Sequence, residues 1–146
     1  MGLWAYVKRD GEIEAEFTIS YVGFLWFREA IAKALDTELG ELYIEYMKEK
    51  IAMIRLASPL SELFERSVLG CRYVSSLSEE DRNALLDGLL WHCDCEGEIR
   101  WDEAKRLVGL LNRLELGEWH DAMYGKDGFM NVLIASMIFK ENIVFS

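Results

Sequence analysis

The chain has 146 residues, a formal net charge of −10, 51% hydrophobic residues and one proline, which excludes a disordered chain and predicts a single domain with a sizeable core. No apolar run approaches the ~20 residues of a membrane span, and the opening MGLWAYVKRD lacks the order of a secretory signal. Three cysteines, two of them in a C-x-C too short for an ordinary bridge, point to a reducing, cytoplasmic compartment.

Residues 3–19 read as a β-hairpin. Leu3 to Val7 and Ile13 to Ile19 flank Arg9-Asp10-Gly11-Glu12, and Asp-Gly is a strong turn signal. Ile13, Ala15, Phe17 and Ile19 alternate with polar residues, so the spacing predicts that all four share one covered face. From Gly23 the period becomes helical. Phe24, Phe27, Ile31 and Leu35 form a stripe, with Arg28, Glu29 and Lys33 placed away from it.

A second helix is expected from Leu39 to about Leu56, with Leu42, Tyr43, Tyr46, Met47, Ile51 and Ile54 inward. Ser58-Pro59 restarts the chain as a cap and first helical residue, followed by the apolar Leu60, Leu63 and Phe64. Residues 67–77 read as a loop or short strand around Cys71 to Val74. Ser78 followed by Glu79-Glu80-Asp81 marks a helix start, because acids suit the positive end of a helix dipole. That helix reaches Trp91, and another runs from about Asp102 to Leu114. Residues 117–128 are polar and turn-rich. The segment Phe129–Phe139 is apolar nearly all round and is expected at the centre of the core. Residues 142–145 suit a last strand returning to the hairpin. The fold class is α+β: an N-terminal hairpin packed with five to six helices and a C-terminal strand joining the sheet.

The richest stretch chemically is Trp91–Glu103, W-H-C-D-C-E-G-E-I-R-W-D-E, between two helices. With Gly97 as the sixth position it has part of the frame of a calcium-binding EF-hand loop. Asp94 is then third, Glu96 fifth and Glu103 twelfth, but His92 stands first, where a hard cation wants a carboxylate. His92, Cys93 and Cys95 are also zinc-type donors, although no C-x-x-C or second cluster accompanies them. A metal site here would therefore use His92, Asp94, Glu96 and Glu103. The simpler reading is a metal-free turn, stabilised by hydrogen bonds of His92, Asp94 and Glu96 around Gly97, and no cofactor is expected.

Catalytic readings are thin. His92 with Asp94, or His120 with Asp121, would orient a base, and Cys71, Cys93 or Cys95 would be the nucleophile. No nucleophile elbow, P-loop, dinucleotide fingerprint or zinc-helix motif occurs.

Charge and aromatics point elsewhere. Residues 78–103 hold nine acids against two bases, a patch that repels nucleic acid and steers basic proteins. Glu96, Glu98 and Asp102 would supply the field, and Trp101 or Trp119 the desolvated anchor. The reading is thus a non-catalytic protein-interaction module with a basic protein partner and neither nucleic acid nor membrane as ligand. The alternative is a metal-binding protein or small metalloenzyme centred on the 92–103 loop.

Two segments, Tyr21-Val22-Gly23-Phe24 with Phe27-Arg28, and His92-Cys93-Asp94-Cys95-Glu96-Gly97, resemble a group of small uncharacterised bacterial proteins. Those proteins carry a similar aromatic-glycine helix entry and a loop close to His-Ser-Asp-Cys-Asp-Gly. Here Cys93 replaces the serine and Glu96 the second aspartate, and the resemblance implies no activity. In size and acidity the chain also resembles immunity proteins of toxin systems, which would make the basic partner a toxin.

Overall fold

The computed structural model describes residues 2–52, 60–92, 96–116 and 126–146. Strand β1 (Gly2–Arg9) and strand β2 (Glu12–Ser20) form the hairpin. Asp10 at φ 55° and Gly11 at φ 82° make the turn between them, a backbone that twists with the strands and suits these two residues. Leu3, Ala5 and Val7 pair with Ile19, Phe17 and Ala15, and together they make the helix-covered face.

Ile13 departs from the alternation. Val7 pairs with Ala15 but Lys8 pairs with Ile13, so Glu14 is an extra residue in the strand. The bulge turns Ile13 onto the outer face beside Lys8, where it is 43% exposed.

Among the described residues, seven helices follow or interrupt the sheet. They are α1 (Tyr21–Leu35), α2 (Thr37–Ala52), α3 (Leu60–Gly70), α4 (Arg72–Ser76), α5 (Glu79–Leu85), α6 (Trp101–Leu111) and α7 (Lys126–Phe139). Ser20 caps α1 through its hydroxyl, which accepts from the Gly23 N–H, and Ser78 does the same for α5 with Asp81. Residues 67–70 and 72–76 are helical, with Cys71 an extended cap between them, rather than a loop or strand. Val68, Cys71 and Val74 are buried at three-residue spacing, which outweighs the strand preference of Tyr73 and Val74. The start at Ser58-Pro59 lies outside the described residues, as does Ile54.

α5 runs on through a π-helical turn, Leu86–Leu90, closed by the Trp91 N–H donating to the Leu86 carbonyl at 2.7 Å. Strands β3 (Glu98–Ile99) and β4 (Ile143–Phe145) complete an antiparallel sheet of order β2-β1-β4-β3. The C-terminal strand therefore does return to the hairpin, with Ala5 opposite Phe145.

The core lies between this sheet and the helices. Phe27 and Phe129 meet edge-to-face at 5.4 Å, and Phe17, Phe24 and Phe145 surround them. α7 is less central than its composition suggests. It buries Phe129, Val132, Leu133 and Ser136, but Ile138 is 63% exposed. No helix among the described residues is long and apolar enough to cross a membrane.

Candidate functional site

The loop after the π-helical turn is held from below by a buried cation. Arg28 is only 2% exposed, and its Nη1 donates to the carbonyls of Leu89, Leu90 and His92 at 3.4, 3.3 and 2.8 Å. The Tyr43 hydroxyl donates to the Leu90 carbonyl at 2.9 Å. A guanidinium is suited to this place, because the last carbonyls of a helix have no partners of their own and carry the negative end of its dipole. The expectation that Arg28 points away from the α1 stripe is therefore corrected. Its position was legible in principle: residue 28 is four after Phe24 and three before Ile31, on the stripe itself.

His92 is a structural residue of the turn. Its ring packs edge-on against Phe145 at 4.3 Å, and its Nε2 is 3.1 Å from the Glu98 carbonyl, to which an Nε2–H donates. Gly97 has φ 99°, and a Cβ there would meet the His92 ring at 3.3 Å. The glycine thus serves both the backbone conformation and the close approach of the imidazole. Cys93, Asp94 and Cys95 lie outside the described residues. Glu96 is exposed.

The acids downstream are tied into the frame. Glu98 Oε2 accepts from Asn142 Nδ2 at 2.9 Å, while Asn142 Oδ1 accepts the Trp101 N–H at 3.1 Å. One amide thus joins β3, the start of α6 and the residue before β4. Glu103 Oε1 accepts from the Arg100 N–H and Nε at 3.1 and 3.2 Å, and its other oxygen lies against Gly88. Arg100 Nε also stands 3.5 Å from Asp102. Among the described residues, then, His92, Glu96 and Glu103 do not converge as a ligand set.

A different trio does converge. Donor atoms of Asp36, Glu38 and Cys71 lie within 4.8 Å of one another, a set the spacing in sequence gave no hint of. Asp36 Oδ2 accepts the Leu39 N–H at 3.0 Å, which caps α2, and Glu38 lies in the first turn. Both acids thus answer the positive end of a helix dipole, where a cation would be opposed.

Trp101 borders an open groove of about 620 Å³ between α5 and α6, lined in part by Glu80, Asp81, Asp102, Arg106 and Gly109. Trp101 is 36% exposed, and Lys140 Nζ lies 5.7 Å from its ring centre. Arg106 donates to Asp81 at 3.0 Å. Glu79, Glu80, Asp87 and Glu96 are exposed, and none of them forms an ion pair among the described residues. Trp119, His120, Asp121 and Tyr124 fall outside the described residues.

No family model, curated protein or solved structure matches this chain. The site is therefore interpreted from its own chemistry. Its histidine, its glutamate at 103 and its buried arginine serve the scaffold. Its exposed side chains are the carboxylates of Glu80 and Asp102 interleaved with Arg100, Lys105 and Arg106, around the half-open Trp101 indole.

Proposed function

We propose that this protein is a non-catalytic interaction module that receives a basic protein partner at the α5–α6 groove and the neighbouring 96–103 edge. The observation that carries this reading is Trp101, an exposed indole on the rim of a groove bordered by Glu80 and Asp102. An aromatic ring beside carboxylates supplies apolar area for a desolvated contact and a field for encounter. The ion pairs at Asp81 and Glu103 shift the main source of that field toward Glu79, Glu80, Asp87 and Glu96. Rigid backing by Asn142 keeps the entropic cost of ordering this edge low on association.

Neutralisation of a toxin is the more specific form of this reading, suggested by size and acidity alone. Its test is co-expression with the toxic product of a neighbouring gene, followed by association kinetics over a range of salt. Protection of growth, with an on-rate that falls as ionic strength rises, supports the reading. Binding indifferent to salt and to Trp101→Ala overturns it.

A further inference from the structure

The hydrogen-bond directions in the sheet expose a second surface, independent of the groove. Among the described residues, strand β2 is the outermost strand of the sheet, next to β1. Trp4 donates to the Ser146 carbonyl at 2.9 Å and accepts from the Ser146 N–H at 2.8 Å, so both its backbone groups point toward β4. A residue in an antiparallel sheet sends its N–H and C=O to the same side. Thr18, the partner of Trp4 in β2, therefore forms a non-hydrogen-bonded pair, and its own N–H and C=O point out of the sheet. Glu16, opposite Tyr6 and two residues earlier, shares that direction. Among the described residues nothing bonds to these four groups.

The side chains along this edge are of two kinds. Ala15 and Ile19 are only half-buried on the helix-covered face and leave apolar surface at the rim. Glu12, Glu14 and Glu16 are exposed. Glu14 is paired with Arg9 at 3.2 Å, whereas the Glu16 carboxylate accepts from the neutral Trp4 indole at 2.9 Å and forms no ion pair among the described residues.

We propose that the Ala15–Ile19 edge accepts an added β-strand from a basic partner, an extended segment that alternates apolar residues with lysine or arginine. Its backbone takes the free groups of Glu16 and Thr18. Its apolar residues cover the rim at Ala15 and Ile19, and a basic residue on the outer face pairs with Glu16. A second copy of the chain is the poorer occupant, because it brings its own Glu12, Glu14 and Glu16 on the joining strand and a second net charge of −10.

The experiment uses two short peptides, one alternating valine and lysine and one alternating valine and glutamate, with residue-resolved amide exchange of the full chain. The lysine peptide is expected to slow exchange at Glu16 and Thr18, and the glutamate peptide is not. Glu16→Lys should weaken the lysine peptide roughly fivefold through the lost cross-strand pair. Thr18→Pro removes an edge donor without removing a bond to β1, and should abolish the protection. Should that proline variant not fold, the unaltered chain and Glu16→Lys still decide the matter. The proposal is overturned by unchanged exchange at these two amides, by equal protection from the glutamate peptide, or by protection that grows with protein concentration in the absence of peptide. The last result would make the edge a self-association surface.

Discussion

The guanidinium of Arg28 lies 2.8 Å from the carbonyl oxygen of His92, across 64 residues of sequence. A side chain from the first helix thus fixes where the second half of the chain enters its most polar loop. The same nitrogen also donates to the Leu89 and Leu90 carbonyls, at the end of the π-helical turn.

Replacing Arg28 by methionine keeps apolar volume but strands those carbonyls in the interior. The expected loss is roughly 2–4 kcal/mol of unfolding free energy, read by urea denaturation. Lysine should recover part of the loss, since its ammonium nitrogen can donate to the same carbonyls as Nη1 but lacks the planar guanidinium that also lies over the Phe24 ring.

Gly97→Ala is expected to destabilise by about 1–3 kcal/mol, because alanine is strained at a φ of 99° and its methyl meets the His92 ring. The double variant with His92→Ala should relieve the contact but not the backbone strain. A double-mutant cycle separates the two.

Tyr46 predicts an alkaline limit. Burial, followed by the charge of Glu65 and the hydrogen bond to it at 3.3 Å, pushes the phenol up to about 12 from an ordinary 10.0. A raised folded-state value means stability that is complete below pH 10 and lost as pH climbs toward 12. Urea midpoints measured across that window should fall, and Tyr46→Phe should flatten the fall while leaving the neutral-pH profile in shape.

The groove makes a kinetic prediction. Glu80→Gln with Asp102→Asn should leave the far-ultraviolet spectrum unchanged and lower the thermal midpoint only slightly, since both acids sit in first helical turns but Glu80 forms no ion pair among the described residues and Asp102 only brushes Arg100. The association rate with a basic partner should drop, together with its salt dependence. Glu98→Lys is a poor probe of the same idea, because it also breaks the bond to Asn142.

Local chemistry made the hairpin legible in sequence. Asp10-Gly11 marks the turn, and the alternation from Ala15 to Ile19 sets the covered face. The bulge at Glu14 was not legible, because one inserted residue leaves the apolar-polar pattern unbroken while reversing the face of Ile13. The helix at Ser78 followed from its cap and the α1 stripe from its spacing, whereas the Ser20 cap was not picked out and α4 is hidden by strand-forming residue types. At the site, the concentration of acids and the importance of Gly97 were visible. The roles of Arg28, Tyr43 and Asn142 were not, because each acts on backbone tens of residues away and a sequence pattern carries no such address. The loop frame suggesting a cation assigned Glu103 to an ion, while in the fold that carboxylate closes the first turn of its own helix.

The seating of β4 between β1 and β3 has a consequence for how the chain is made. β1 gains its second neighbour only from residues 144–145, almost the whole chain later. During synthesis the hairpin must wait with one edge bare, and the Glu98–Ile99 pair has no strand to join until Ile143 arrives. Contacts so distant in sequence close late and slowly. A ribosome-bound chain stalled before residue 143 would therefore carry helices around an unfinished sheet, and closure of that sheet waits for Ile143 to Phe145.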